Sequence, residues 1–198
     1  MTSCPSCPRA LRLLGVFALA AVAHAACARD PLPSVTVRQQ GESFVVEATL
    51  AAPVPVAVAW DVVTDVDAMT AFVPTLDESR ILARNGERWQ ILQPGAIRVG
   101  PIAFAYTTVR DVTLVPRTSI RQVQVRGTMP RLETMTTLSP EVGATRLDYR
   151  IEVNPATPFP DFVTRFLLRR EVEAQLDAIV REMVRRHADV GAPSRQGG

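Results

Sequence analysis

Arg121 is the most unusual side chain in this sequence. In SIRQVQVR (119–126) it shares one alternating face with Val123 and Val125, while Ile120 interrupts the polar set opposite. If the valine face turns inward, a guanidinium enters the interior. There it needs a carboxylate or a polar ligand group, because an unpaired buried charge costs several kcal/mol. Glu133 on the following strand is the available carboxylate. In the competing arrangement the strand twists or bulges and Arg121 snorkels to solvent. Tyr149 lies between Leu147 and Ile151 on another alternating face, either as a core tyrosine with its hydroxyl satisfied or as the polar handle of a pocket. Phe104 and Tyr106 share a face with Ile102, and Trp60 and Trp89 read as packing anchors. Asp61, Asp65 and Asp67 read as caps and surface charges, since their spacing is not that of a calcium loop.

Much familiar chemistry is excluded by composition. All 22 basic residues are arginine, so there is no lysine for a Schiff base or a phosphate loop. The histidines are His24 and His187 alone, a supply that argues against a zinc cluster, a Ser-His-Asp triad and a Cys-His pair. A formal net charge of +2 offers no case for nucleic-acid binding. No cofactor and no metal are implied.

Residues 1–25 have the three-part layout of a secretory signal peptide. Arg9 and Arg12 precede an eleven-residue apolar run, Leu13 to Ala23, and Ala23-His24-Ala25 supplies small residues before a cut. The run is shorter than the roughly 20 residues needed to span a bilayer. Removing Arg9 and Arg12 from the 22 basic residues leaves 20, equal to the 20 acidic ones, for a net charge near zero. Export, into a bacterial periplasm, is therefore expected. Ala25-Ala26-Cys27 resembles the end of a lipoprotein signal, and a membrane tether follows if Cys27 is lipidated. Cys4 and Cys7 fall in the leader, so the mature chain has no second cysteine with which Cys27 could pair.

The elements that must position the candidate residues follow from periodicity. Residues 26–42 read as a linker and 188–198 as a disordered tail. SFVVEATL (43–50) alternates as a half-buried strand. Two short helices are expected within 56–74, Pro55 opening the first and Pro74 ending the second. Six strands follow, at 78–84, 87–93, 102–115, 118–126, 131–139 and 144–153, with Asn85-Gly86 turning the first pair. After PATPFPD (155–161), Asp161 reads as the cap of a helix of about 25 residues, near 38 Å. Phe162, Phe166, Leu167, Val172, Leu176, Ile179, Val180 and Met183 form its apolar stripe. The fold class is α+β. A seven-stranded antiparallel sheet wraps around a long C-terminal helix, with two short helices after the first strand.

Several short motifs sit in this order: Ala52-Pro53, Trp60-Asp61, Thr64-Asp65, Phe72-Val73-Pro74, RNGER (84–88) and Tyr149…Pro155…Phe159-Pro160. With them, residues 43–187 resemble a START-like (helix-grip) domain of the SRPBCC superfamily, in its polyketide cyclase/dehydrase and coenzyme Q-binding branch. That resemblance implies a cavity between sheet and helix for a hydrophobic or amphipathic molecule such as a lipid, a quinone or a polyketide. It departs from the branch in its leader and in the absence of a cavity histidine, since His187 lies at the far end of the helix. Strand parity then puts Phe104, Tyr106, Arg121, Val123, Leu147, Tyr149, Ile151 and Phe166 around the ligand. The alternatives are a cyclase or dehydratase-like enzyme using Tyr149, Arg121 and a carboxylate, and a packed protein-interaction module with no ligand.

Overall fold

The computed structural model describes residues 34–155 and 157–191. The leader, Cys4, Cys7, Cys27 and the last seven residues lie outside them. Eight strands form one antiparallel sheet: β1 (Ser34–Gln40), β2 (Ser43–Ala52), β3 (Arg80–Asn85), β4 (Arg88–Val99), β5 (Ile102–Val115), β6 (Ser119–Gly127), β7 (Arg131–Glu141) and β8 (Ala144–Asn154). Their order across the sheet is β1-β2-β8-β7-β6-β5-β4-β3. Helix α1 (Val56–Thr64) and a 3-10 segment (Val66–Ala71) connect β2 to β3, and α2 (Asp161–Gly191) follows β8.

The class and wrapping are those expected, but there are eight strands rather than seven. The extra strand is β1, which falls in the stretch read as a linker. Its Val35 and Val37 alternate toward the core and Val35 is buried, with Val35 opposite Ala48 and Val37 opposite Val46. Pro, Gln and Gly around this short alternation concealed it. The C-terminal helix is also longer than expected, with 31 residues or about 46 Å, and covers positions assigned to the tail. It begins one residue early for an Asp161 cap. The amides of Val163 and Thr164 donate to the Pro160 carbonyl, which leaves Asp161 in the first turn, where its charge suits the helix dipole.

Turn chemistry sets the register. Gly86, at φ +57°, occupies the left-handed position in the two-residue turn between Asn85 and Arg88, which are paired. One sheet face carries ion pairs, with Glu47 between Arg38 (2.5 Å) and Arg150 (2.6 Å) and Arg131 on Glu152 (2.7 Å). The other face carries the core. Val46, Ala48, Leu50 and Leu147 meet Ala59 and Val62 of α1 and Val172, Leu176 and Met183 of α2. Helix α2 packs most closely on β1, β2 and α1. The space it shares with β4, β5, β7 and β8 is left open.

Strand β4 runs on through Pro94 and Gly95 to Val99, beyond its expected end at Gln93. The loop before β3 crosses it at Gly95, where Ala96 donates to the Thr75 carbonyl at 3.0 Å. A Cβ on Gly95 would sit 2.0 Å from that carbonyl oxygen and 2.7 Å from the Tyr106 hydroxyl. Gly95→Ala is therefore expected to destabilise the fold by about 1–3 kcal/mol or more, read by chemical denaturation. An unchanged midpoint would show that the Thr75 loop yields freely.

Candidate functional site

Strand β5 supplies the floor of the open space. Its even-numbered positions Phe104, Tyr106, Thr108, Arg110, Val112 and Leu114 all face the helix side, as period-two alternation requires. Leu132 and Thr134 of β7, Tyr149, Ile151 and Val153 of β8, and Leu168, Glu171, Val172 and Gln175 of α2 complete the walls. The chamber has a volume of about 510 Å³. Phe104 meets Phe159 edge-on, with centroids 5.1 Å apart, and Pro155 and Pro158 stand nearby in the chamber wall. A second space of about 80 Å³ lies beyond, among Val66, Ile91, Ile120, Gln122, Leu147 and Ile179. Gln93, Arg110, Thr134, Tyr149 and Gln175 border both spaces.

Arg110 dominates the electrostatics. Its guanidinium is enclosed by protein, its Nε has no hydrogen-bond partner, and no ion pair reaches it among the described residues. Burial pulls its pKa down, weakly opposed by Tyr149 and Tyr106, yet an arginine remains charged at neutral pH. Burial pushes the Tyr149 hydroxyl up to about 12 and raises that of Tyr106, so both are neutral and cannot balance the charge. Tyr106 donates to the Thr75 carbonyl at 3.2 Å, whereas Tyr149 has no described partner. Thr134 Oγ1, Gln122 Oε1 and Gln124 Oε1 are also buried without partners. The Gln93 side-chain amide, by contrast, donates to Ser79 Oγ at 2.8 Å, while the main-chain carbonyl of Gln93 accepts from the Thr108 hydroxyl at 3.1 Å. Glu171 is already paired with Arg170 at 3.0 Å. An enclosed cation with no described counter-charge costs several kcal/mol, which makes Arg110 the strongest polar feature of an otherwise largely apolar chamber.

The structure gathers five of the eight residues chosen from sequence. Phe104, Tyr106, Tyr149 and Ile151 line the main chamber, and Leu147 lines the smaller space. Arg121 and Val123 do not, because β6 has the opposite parity. Ile120, Gln122 and Gln124 are the residues facing inward. The Arg121 side chain is 56% exposed and reaches Glu133 on the outer face, through Nε at 3.0 Å and Nη2 at 2.6 Å. Val123 is half-buried opposite Asp111 and Glu133, away from the chamber. Gln122 faces inward beside the smaller space, and Gln124 turns inward to donate its side-chain amide to the Met129 carbonyl, which inverts the usual reading of alternation. Phe166 is 63% exposed, and Phe162 is exposed as well. The inward stripe of α2 runs instead through Thr164, Leu167, Leu168, Val172 and Leu176, with Glu171 and Gln175 at the chamber.

Arg110, Thr134, Gln93 and Gln175 carry no sequence assignment above. For Arg110 a signal existed, since it shares the parity of Phe104, Tyr106, Val112 and Leu114 in IAFAYTTVRDVTLV.

An antiparallel sheet gripping a long C-terminal helix, with a chamber between them, defines a START-like domain of the SRPBCC superfamily. The chain belongs to the polyketide cyclase / dehydrase and lipid transport family, whose sequence model matches residues 52–180. Solved structures share this fold at low sequence identity. A START superfamily protein from Mycobacterium smegmatis is 17% identical with a TM-score of 0.63, covering 72% of this chain and 98% of that one. The Zhui aromatase/cyclase from Streptomyces sp. R1128 is 19% identical with a TM-score of 0.64, covering 76% and 99%. A STAR-related lipid transfer protein from Xanthomonas axonopodis is 13% identical with a TM-score of 0.65, covering 77% and 99%. No curated protein matches the sequence.

Proposed function

We propose that this protein binds an amphipathic small molecule in the chamber between β4–β8 and α2 and carries it without chemical change. The observation behind this reading is the chamber itself. At about 510 Å³ it falls within the roughly 300–1,000 Å³ typical of small-molecule sites. Its walls are mostly apolar, and one cluster of polar groups around Arg110 would fix orientation. The aromatase/cyclase and the lipid transfer protein of similar fold make both turnover and carriage available to this architecture. Carriage is favoured because burial raises the pKa of both chamber tyrosines further above neutral pH, which leaves neither poised as a general base. The leader-like sequence of residues 1–25 supports a carrier that works outside the cytoplasm.

The test is titration with Nile red, an uncharged dye that brightens in apolar surroundings. Saturable binding at one site per chain, displaced by long-chain amphiphiles, is the expected result. Absence of saturable binding by a cooperatively folded sample would leave the chamber without a ligand and overturn the reading.

A further inference from the structure

We propose that the ligand is a single-chain carboxylate whose head group pairs with Arg110 and whose chain runs toward Phe104 and the prolines of the outer chamber. This rests on the carrier reading above and assigns it a ligand class. Three observations converge on an anion. The Arg110 Nε is buried without a partner, and its charge is met by no described carboxylate. The one acidic side chain in the chamber wall, Glu171, is held by Arg170. Two further donors, the hydroxyls of Thr134 and Tyr149, border the same two spaces as Arg110: Thr134 Oγ1 is buried without a partner, and Tyr149 has no hydrogen bond among the described residues.

Guanidinium and hydroxyls together present donors, and an ionised carboxylate is an acceptor-only group able to take a forked contact from arginine. Charge decides between anions. One uncompensated cation is balanced by one negative charge, whereas a phosphate monoester brings about −1.5 to −2 and would leave an excess buried negative charge. An alcohol or an ester would leave the guanidinium unneutralised. Orientation follows from position. Arg110 stands where the main chamber meets the small inner space, so the head group lies deep and Ile151, Val153 and Leu168 surround the chain.

Four ligands with the same chain separate these cases: palmitate, methyl palmitate, hexadecanol and hexadecyl phosphate, each measured by displacement of Nile red. Palmitate is expected to bind about 10–100-fold more tightly than the ester or alcohol, as a charge-assisted hydrogen-bonded pair allows. In Arg110→Met the dye should still bind while the preference for palmitate over its ester disappears. Arg110→Lys should keep a reduced preference, because the charge stays but the fork is lost. Equal binding of acid and ester by the native protein would overturn the assignment, as would a preference for the phosphate or a preference that survives in Arg110→Met. In each of those results Nile red still binds and the carrier reading stands. Failure of the dye and every amphiphile to bind would remove both together. The comparison among ligands on the native protein needs no variant to fold.

Discussion

A chain ending at Pro160 should be insoluble or molten, with no cooperative melting transition. Helix α2 buries Leu167, Val172, Leu176 and Met183, the last three within the cluster that joins it to β2, β8 and α1. Each such side chain contributes about 1.5–3 kcal/mol on full burial, so losing four removes on the order of 6–12 kcal/mol. That is comparable with the whole net stability of a domain, about 5–15 kcal/mol. Sheet residues now facing α2, including Val46 and Ala48, would meet water at the same time. Near-UV circular dichroism and a thermal scan of the truncated chain are the measurements. A graded version within the full chain, Leu176→Ala, should cost about 2–5 kcal/mol. A sharp melt from the truncated protein would show that the sheet and α1 form a core of their own.

The elements least ambiguous in sequence were those whose two faces differ in hydrophobicity. In β8, Leu147, Tyr149, Ile151 and Val153 oppose Arg146, Asp148, Arg150 and Glu152, and the structure keeps that division. The chamber wall on β6 was illegible for the opposite reason. Gln122 and Gln124 line the inside while Val123 and Val125 lie outside, so hydrophobicity points the wrong way. The same conflict moved Phe166 to the surface and brought Glu171 and Gln175 inward on α2. A hollow domain places polar groups where a packed one places aliphatic groups. Alternation then reports the presence of a strand more securely than its inner face. Arg110 was legible in principle, since it is the one charged residue on a largely apolar parity within a fourteen-residue strand and so marks a charge that must enter.

Ile151→Trp should abolish Nile red binding while leaving the melting temperature nearly unchanged. Ile151 is half-buried on β8, opposite Val46 and Thr134, and its side chain borders the main chamber. An indole there can extend into open volume and displace the ligand instead of displacing protein atoms. Leu147, four residues earlier on the same face, is the matched control. It is 2% exposed and belongs to the cluster with Val172, Leu176 and Met183. Leu147 borders only the smaller space of about 80 Å³, so Leu147→Trp must force neighbours aside and is expected to cost about 1–3 kcal/mol or more. The pair separates filling a cavity from overfilling a core, because the introduced residue is the same, the replaced aliphatic residues are of equal size, and the surroundings differ. Binding is read by dye titration and stability by denaturation of both variants. If Ile151→Trp loses as much stability as Leu147→Trp, the space beside Ile151 is closed by packing in solution and the chamber cannot hold a ligand of this size.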